Sequence, residues 1–339
     1  MDAQPALPID ISQVTTMQAM VHDEYGEAED VLRLERVERP SVGDDEFLIR
    51  VHTAGVDRGA WHLMAGLPYP VRLAGYGVCR PRTRIRGREV AGIVAATGRN
   101  VTDFRVGDKV FGIAEGCFAE YAVGTADTVV RMPASLSFEQ AAALPISGIT
   151  ALQAVRGRGQ VASGQSVLII GASGGVGTYA VQIAKALGAT VTGVCSASKV
   201  DLVRSIGADH VIDYTESDID TNSHYDVIVD TGGNRALRQL RTALDQHGTL
   251  VIVGSETSGR ILGGTDRQLR ALMLSPFVSQ KLTTLIASEK ATELAALVDL
   301  VESGSIMPVV DRAFPLPDTV AAIAHMRDGR ARGKVVVTV

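Results

Sequence analysis

The chain has 339 residues, length enough for two domains of ordinary size, and no apolar run near the eighteen or so residues of a membrane span. Its net charge of −5 excludes a whole-protein field that attracts nucleic acid. Thirty-five glycines stand beside only one Trp, seven Tyr and seven Phe, so the core must be built from Ala, Val, Ile and Leu, as α/β layers are.

Residues 1–16 lack periodicity and are expected to form a loose arm. They hold no Lys or Arg but do carry Asp2 and Asp10, which argues against a secretory or transit signal and for a cytoplasmic protein. Strand patterns follow at 17–25, 47–56, 88–98, 109–113 and 120–124, with glycines at the bends. From 79–87 (CRPRTRIRG) on to the next residue the arginines alternate through Arg80, Arg82, Arg84, Arg86 and Arg88, which on a strand would put all five on one face. A solvated loop or an intersubunit contact explains such a row more simply than an anion site. Cys79, Cys117 and Cys195 are too few and too scattered for a disulfide framework or a zinc cluster.

Near residue 135 the texture changes. Residues 135–155 read as two helical pieces interrupted at 145–148, with Ser135 or Ser137 as the N-cap. Apolar runs at 166–171, 190–195, 210–214, 226–231 and 249–254 then alternate with helices, the pattern of a doubly wound parallel sheet. A long helical stretch leads to strand patterns at 308–314 and 334–339, which complete the first domain. The expected division is an arm over 1–16, a β-rich catalytic domain over 17–144 and 287–339, and a cofactor domain over 145–286.

The strongest motif is SVLIIGASGGVGTYAVQIAKALGA over 166–189. A buried strand ends at Gly171, a turn carries Ser173, Gly174, Gly175, Val176 and Gly177, and a helix begins at once. This arrangement lets a dinucleotide pyrophosphate approach bare backbone N–H groups at a helix N-terminus. The next strand end, GVCSASK over 193–199, has no acid before Asp201 to hold a ribose 2′-hydroxyl. Ser196 as donor and Lys199 as cation, with Arg204 a turn on, instead favour the 2′-phosphate of NADPH over NADH.

That motif, with IGADHVIDY (206–214), VDTGG (229–233), AGVDRGAWHLMAG (54–66), GREVAGIV (87–94), VGDKVFG (106–112), AAALPISGITAL (141–152) and RGKVVV (332–337), resembles the medium-chain dehydrogenase/reductase superfamily in its zinc-independent quinone oxidoreductase branch. The resemblance implies a GroES-like β-rich catalytic domain split around a Rossmann domain. It also implies that Tyr214 lies beside the adenosine phosphate and that Thr150, Gly232, Val253 and Gly254 lie along the cofactor cleft. Zinc-dependent relatives carry a Cys where Asp57 stands, a His where Arg88 stands, and a third ligand near Ser147. Arginine stays protonated and cannot ligate a metal, so no catalytic zinc is expected. The implied activity is hydride delivery from NADPH to a quinone or an α,β-unsaturated carbonyl. Asp57, Tyr69 and Tyr76 are candidate catalytic groups, and Trp61, His62 and Ser147 candidate pocket residues. A homodimer follows from the resemblance alone. Two other classes compete: a non-enzymatic NADPH-binding sensor or scaffold, and a zinc-type alcohol dehydrogenase.

Overall fold

The computed structural model describes residues 14–220, 224–254 and 263–339. The expected arm therefore falls almost wholly outside the described residues. The chain opens with β1 (Thr16–Val21), α1 (Ala28–Val31) and β2 (Arg33–Glu38), and β1 and β2 pair antiparallel as a separate ribbon. β3 (Glu46–Val56) leads into α2 (Arg58–Ala65), then β4 (Glu89–Thr97), β5 (Lys109–Ile113), β6 (Tyr121–Thr125) and β7 (Val129–Arg131). α3 (Phe138–Ala143), opened by a Ser137–Gln140 capping box, and α4 (Pro145–Leu152) are the two helical pieces expected, but the break falls at Leu144, and residues 145–148, the expected interruption, begin α4 with Pro145 at its first turn.

Next come β8 (Ser166–Ile170), α5 (Gly175–Ala186), β9 (Thr190–Cys195), α6 (Val200–Ser205), β10 (His210–Asp213), β11 (Tyr225–Asp230), α7 (Leu237–Ala243), β12 (Leu244–Ile252), α8 (Thr265–Leu274) and β13 (Lys281–Thr284). The chain ends with α9 (Ala291–Glu302), β14 (Val310–Pro315), α10 (Thr319–Arg327) and β15 (Lys334–Thr338).

Two large sheets result. β8 to β13 form a six-stranded, wholly parallel sheet in the order β10-β9-β8-β11-β12-β13. Val167, Leu168 and Ile169 are fully buried because helices cover both faces, which is why this strand shows no polar alternation. The second sheet runs β14-β15-β3-β4-β5-β7, with β6 added to β3. Its core gathers Phe47 from β3 and Phe118 from the turn before β6, whereas Phe111 of β5 packs into the cluster shared with α4 and α5. The fold is α/β, a GroES-like β-rich unit beside a Rossmann-like parallel sheet.

The sequence reading found five parallel strands, and the structure has six. β13, KLTT, escaped notice because an edge strand buries little: only Leu282 of its four residues is fully enclosed. The arginine row does not share one face. Residues 77–84 are bends and irregular backbone, so Arg84 lies half-exposed against Asp23 while Arg86 is buried against His22.

Candidate active site

The glycine turn lies at the carboxyl end of β8, between β9 and β11, where the strand order reverses and an open parallel sheet leaves a crevice. Gly171 takes φ +80°, a conformation costly for any side chain. A Cβ on Gly177 would press on the carbonyl of Gly171 and stand 2.8 Å from the Cα of Ala172, so the helix can approach the strand only with hydrogen there. Gly174 caps α5 with extended backbone and no side-chain bond, leaving the first N–H groups of the helix free to meet an anion.

The same turn is where the two sheets meet. The N–H of Gly333 donates to the carbonyl of Ser173 at 2.9 Å, and Gly174 and Gly333 form a parallel bridge. A Cβ on Gly175 would lie 2.9 Å from Cδ of Lys334 and 3.1 Å from Oγ of Ser147. Thus Ser147, from α4, and Lys334, from β15, both flank the turn. Gly232, Val253 and Gly254 follow β11 and β12 at the same edge. Asp230 organises them: its carboxylate accepts from the N–H groups of Gly232 (3.1 Å) and Gly233 (3.0 Å), and its carbonyl accepts from Val253 and Gly254. Arg267 neutralises Asp230 in a buried pair. Thr150 spends its hydroxyl proton on the carbonyl of Ile146 at 2.6 Å.

At the end of β9, Ser196 is half-buried and Tyr214 is 56% exposed beside it. Lys199 does not present a free ammonium there, as the sequence reading expected. Its Nζ donates to the carbonyls of Gly329 and Ala331, each at 2.7 Å. Arg332, on the same loop, is exposed and makes no hydrogen bond or ion pair with the described residues. It is a candidate cation that sequence reasoning missed.

A buried charge cluster sits across the cleft. Glu89, at the start of β4, is fully buried, with one carboxylate oxygen accepting from Ile146 N–H at 2.9 Å and the other paired with Lys334. Burial pushes its pKa up to about 7, against the opposing pull of Lys334 and with a further push from Asp57. Arg88 donates to Glu289 (3.0 Å from Nη1) and to Glu115 (3.0 Å). Burial alone would lower its pKa, but the two carboxylates hold it above the usual arginine range. Asp57 caps α2, its Oδ1 accepting from Ala60 N–H at 3.0 Å, while its Oδ2 is buried without a partner.

These are the positions that matter for a metal, and the residues do not fit one. Arg88 is a permanent cation engaged with Glu289, Glu89 is engaged with Lys334, and Ser147 is a neutral hydroxyl. Among the described residues no group of three or more His, Cys, Asp or Glu is placed to hold an ion.

The structure places Ser147 at the glycine turn and Asp57 within electrostatic reach of Glu89, and it gives the other expected pocket residues partners of their own. Trp61 packs on the catalytic-domain core and donates its indole N–H to Glu27 at 2.9 Å, because a half-buried indole needs an acceptor. His62 engages the carbonyl of Leu67 at 3.0 Å, closing α2, and its pKa is lowered by burial. Tyr69 is 44% exposed and lies against the guanidinium of Arg72, which Tyr25 covers at 4.4 Å. Tyr76 is half-buried and its carbonyl accepts from the hydroxyl of Tyr25 at 2.9 Å. Besides Arg332, sequence reasoning missed Lys334 and Glu289. A lysine opening the apolar run KVVV was a usable signal for the first, and nothing marks Glu289.

Comparison with known proteins agrees with this architecture. Residues 43–134 match the alcohol dehydrogenase GroES-like domain, and residues 206–337 match the family described as zinc-binding dehydrogenase. The chain is 32% identical over 336 residues to the chloroplastic quinone-oxidoreductase QR1 of Triphysaria versicolor, covering 95% of this chain and 98% of that one. It is 32% identical to the mitochondrial NAD(P)H oxidoreductase RTN4IP1 of Mus musculus, covering 96% of this chain and 90% of that one. The structure of the quinone oxidoreductase from Coxiella burnetii superposes with a TM-score of 0.81 at 29% identity, over 96% of this chain and 99% of that one. The protein is thus an oxidoreductase of the nicotinamide-dependent, two-domain class. It belongs to the medium-chain dehydrogenase/reductase superfamily, in its zinc-independent quinone oxidoreductase branch. No helix among the described residues is long and apolar enough to cross a membrane.

Proposed function

We propose that the protein is an NADPH-dependent, zinc-independent reductase acting on a quinone or an α,β-unsaturated carbonyl. The observation that carries the choice of cofactor is the end of β9. It offers the Ser196 hydroxyl and no acid, and Arg332, exposed and without a partner among the described residues, stands on the loop that Lys199 contacts. A carboxylate there would repel a 2′-phosphate, whereas a hydroxyl and a cation attract one. NADPH, when bound, supplies the hydride. The residues of this chain hold the dinucleotide on the free N–H groups of α5 and along Thr150, Gly232, Val253 and Gly254.

At the acceptor end, the cationic Arg88 stands where a zinc ligand would be needed, which disfavours metal-assisted alcohol oxidation and leaves reduction of acceptors that are already electron-poor. Asp57 has one oxygen free to orient a water or a ribose hydroxyl. Tyr69 and Tyr76 are the candidate proton donors.

The test is NADPH oxidation with a small quinone, an enone and a simple ketone, repeated with NADH. Turnover of the first two and not the ketone is expected. NADPH should be preferred roughly ten- to hundredfold, since one charged hydrogen bond contributes about 1.5–3 kcal/mol. Asp57→Asn keeps the helix cap and removes the charge, so a fall in kcat without loss of stability would assign the free oxygen to the reaction. Tight NADPH binding without turnover of any acceptor would favour the sensor or scaffold.

We also infer a homodimer through the open edge of β13, next to which Met273 and Phe277 are 73% and 84% exposed. Sedimentation of a single species at monomer mass would exclude it.

A further inference from the structure

We propose that the segment after α2 is an anion-binding rim built on Arg72, and that the acceptors of this protein carry a carboxylate remote from the carbon that is reduced. The inference rests on the reductase reading and adds the chemical class of its acceptor. Between Asp57 and Glu89 the sequence holds seven arginines and no Asp, Glu or Lys. Three of the seven are spent within the fold: Arg84 on Asp23 and Glu35, Arg86 on His22, and Arg88 on Glu115 and Glu289. Arg72, Arg80 and Arg82 make no ion pair with the described residues, and Arg80 and Arg82 are exposed. Tyr25 gathers them. Its ring lies 4.4 Å from the guanidinium carbon of Arg72, and its hydroxyl reaches the carbonyls of Tyr76 at 2.9 Å and Gly77 at 2.6 Å. The Tyr76 carbonyl also accepts from the N–H of Arg82 at 3.0 Å, which folds residues 80–82 back onto the same place.

Arg72 is fixed before any ligand arrives. Its Nε donates to the carbonyl of Gly66 at 2.9 Å, and the ring of Tyr69 lies 5.0 Å away. Gly66 takes φ +63°, and a Cβ there would stand 2.7 Å from that Nε and 2.5 Å from Cδ1 of Tyr25, so the chain closes this way only with glycine. Two rings and a carbonyl therefore hold the guanidinium, while its terminal amino groups have no partner among the described residues. A planar fork of N–H groups in a set direction matches a carboxylate, which accepts two parallel bonds. The place is the acceptor end. The segment continues directly from α2, which Asp57 caps, and its Pro68 meets the connection entering α8, where a Cβ on Gly263 would be 2.8 Å from the proline Cγ. Leu73, 76% exposed, adds apolar surface beside the cations. The anionic group stays ionised and takes no part in hydride transfer.

The experiment compares a straight-chain enone ending in a carboxylate, insulated from the alkene by three methylenes, with its methyl ester. Turnover of the two with NADPH is measured on the full chain. The saturated ketone acid and its ester, which cannot be reduced at the alkene, serve as binding probes on the NADP-loaded protein. The acid should bind roughly tenfold more tightly than the ester, with a matching ratio of kcat/KM for the enones, and salt should shrink both ratios. Arg72→Met should bring the ratio of affinities close to one. Arg72→Lys, which keeps the charge and loses the fork, should leave an intermediate ratio and serves if the methionine variant does not fold. Equal affinity for acid and ester in the parent would overturn the inference, and so would an undiminished ratio in Arg72→Met. Should the acid bind selectively while neither enone is reduced, the reductase reading fails and the anion site stands.

Discussion

Replacing Lys334 with methionine is expected to destabilise the protein by about 3–5 kcal/mol at pH 8, the cost of leaving a buried carboxylate without its cation. Lys334 is 2% exposed and Glu89 is fully buried, so no water reaches the pair to screen it. Methionine fills the aliphatic volume of lysine and removes only the charge, which keeps packing out of the comparison. The loss should depend on pH in a definite direction. The Glu89 carboxyl is raised from its ordinary 4.5 to about 7. A carboxyl raised on folding contributes stability that is complete below the unfolded value and lost as pH climbs through the folded one. At pH 5 Glu89 is neutral in the folded protein, so the absence of Lys334 is felt least. Above pH 8 Glu89 must ionise unpaired or take up a proton, and the full loss appears. Glu89→Gln, neutral at every pH, should abolish this dependence. Denaturant unfolding at pH 5 and pH 8 decides the matter, and equal losses at both would show that the pair does not carry the effect.

Gly177→Ala is the second large effect. Its Cβ would meet only backbone, the Gly171 carbonyl and the Ala172 Cα, so no flexible side chain can yield. Overpacking of this kind costs about 1–3 kcal/mol, and the better helix propensity of alanine returns at most about 1. The larger consequence is for binding. α5 can relieve the clash only by moving off the end of β8, which withdraws its N–H groups from the anion site, and nucleotide affinity should fall more than tenfold. Gly174→Ala is the matched control. Its backbone is extended at φ −85°, and its nearest neighbour, the Gly171 oxygen, would be at an ordinary 3.4 Å. It should fold like the parent, so any loss of affinity there reports the approach of ligand to that face. Parental affinity and stability in Gly177→Ala would refute the packing argument.

What the sequence displayed and what it concealed divide along physical lines. The glycine turn and the buried strands β8 and β9 were legible because local rules govern them: backbone freedom at Gly171, uninterrupted apolar runs, a helix starting at once. The acid missing after Cys195 was equally visible. The charge cluster was not, because Glu89 and Lys334 lie 245 positions apart and meet only through β15 entering the sheet beside β3. The acceptor of the Trp61 indole N–H was equally hidden, because Glu27 lies 34 positions away on a different element. Lys199 was correctly singled out as a cation, but its direction is decided by carbonyls of a loop that only the tertiary fold brings near.

The placement of β15 has a consequence for how the molecule is made. It lies between β14 and β3, in the interior of the seven-stranded sheet. As the chain leaves the ribosome, the parallel sheet has all its strands once residue 284 has emerged, and it can fold as a unit. The catalytic sheet begins first, with β3, and β4 and β6 pair with it early, yet residues 53–56 of that strand lack their second neighbour until residues 334–338 appear. The domain started first is thus finished last, and the same final strand carries Lys334 to the turn where the two halves join.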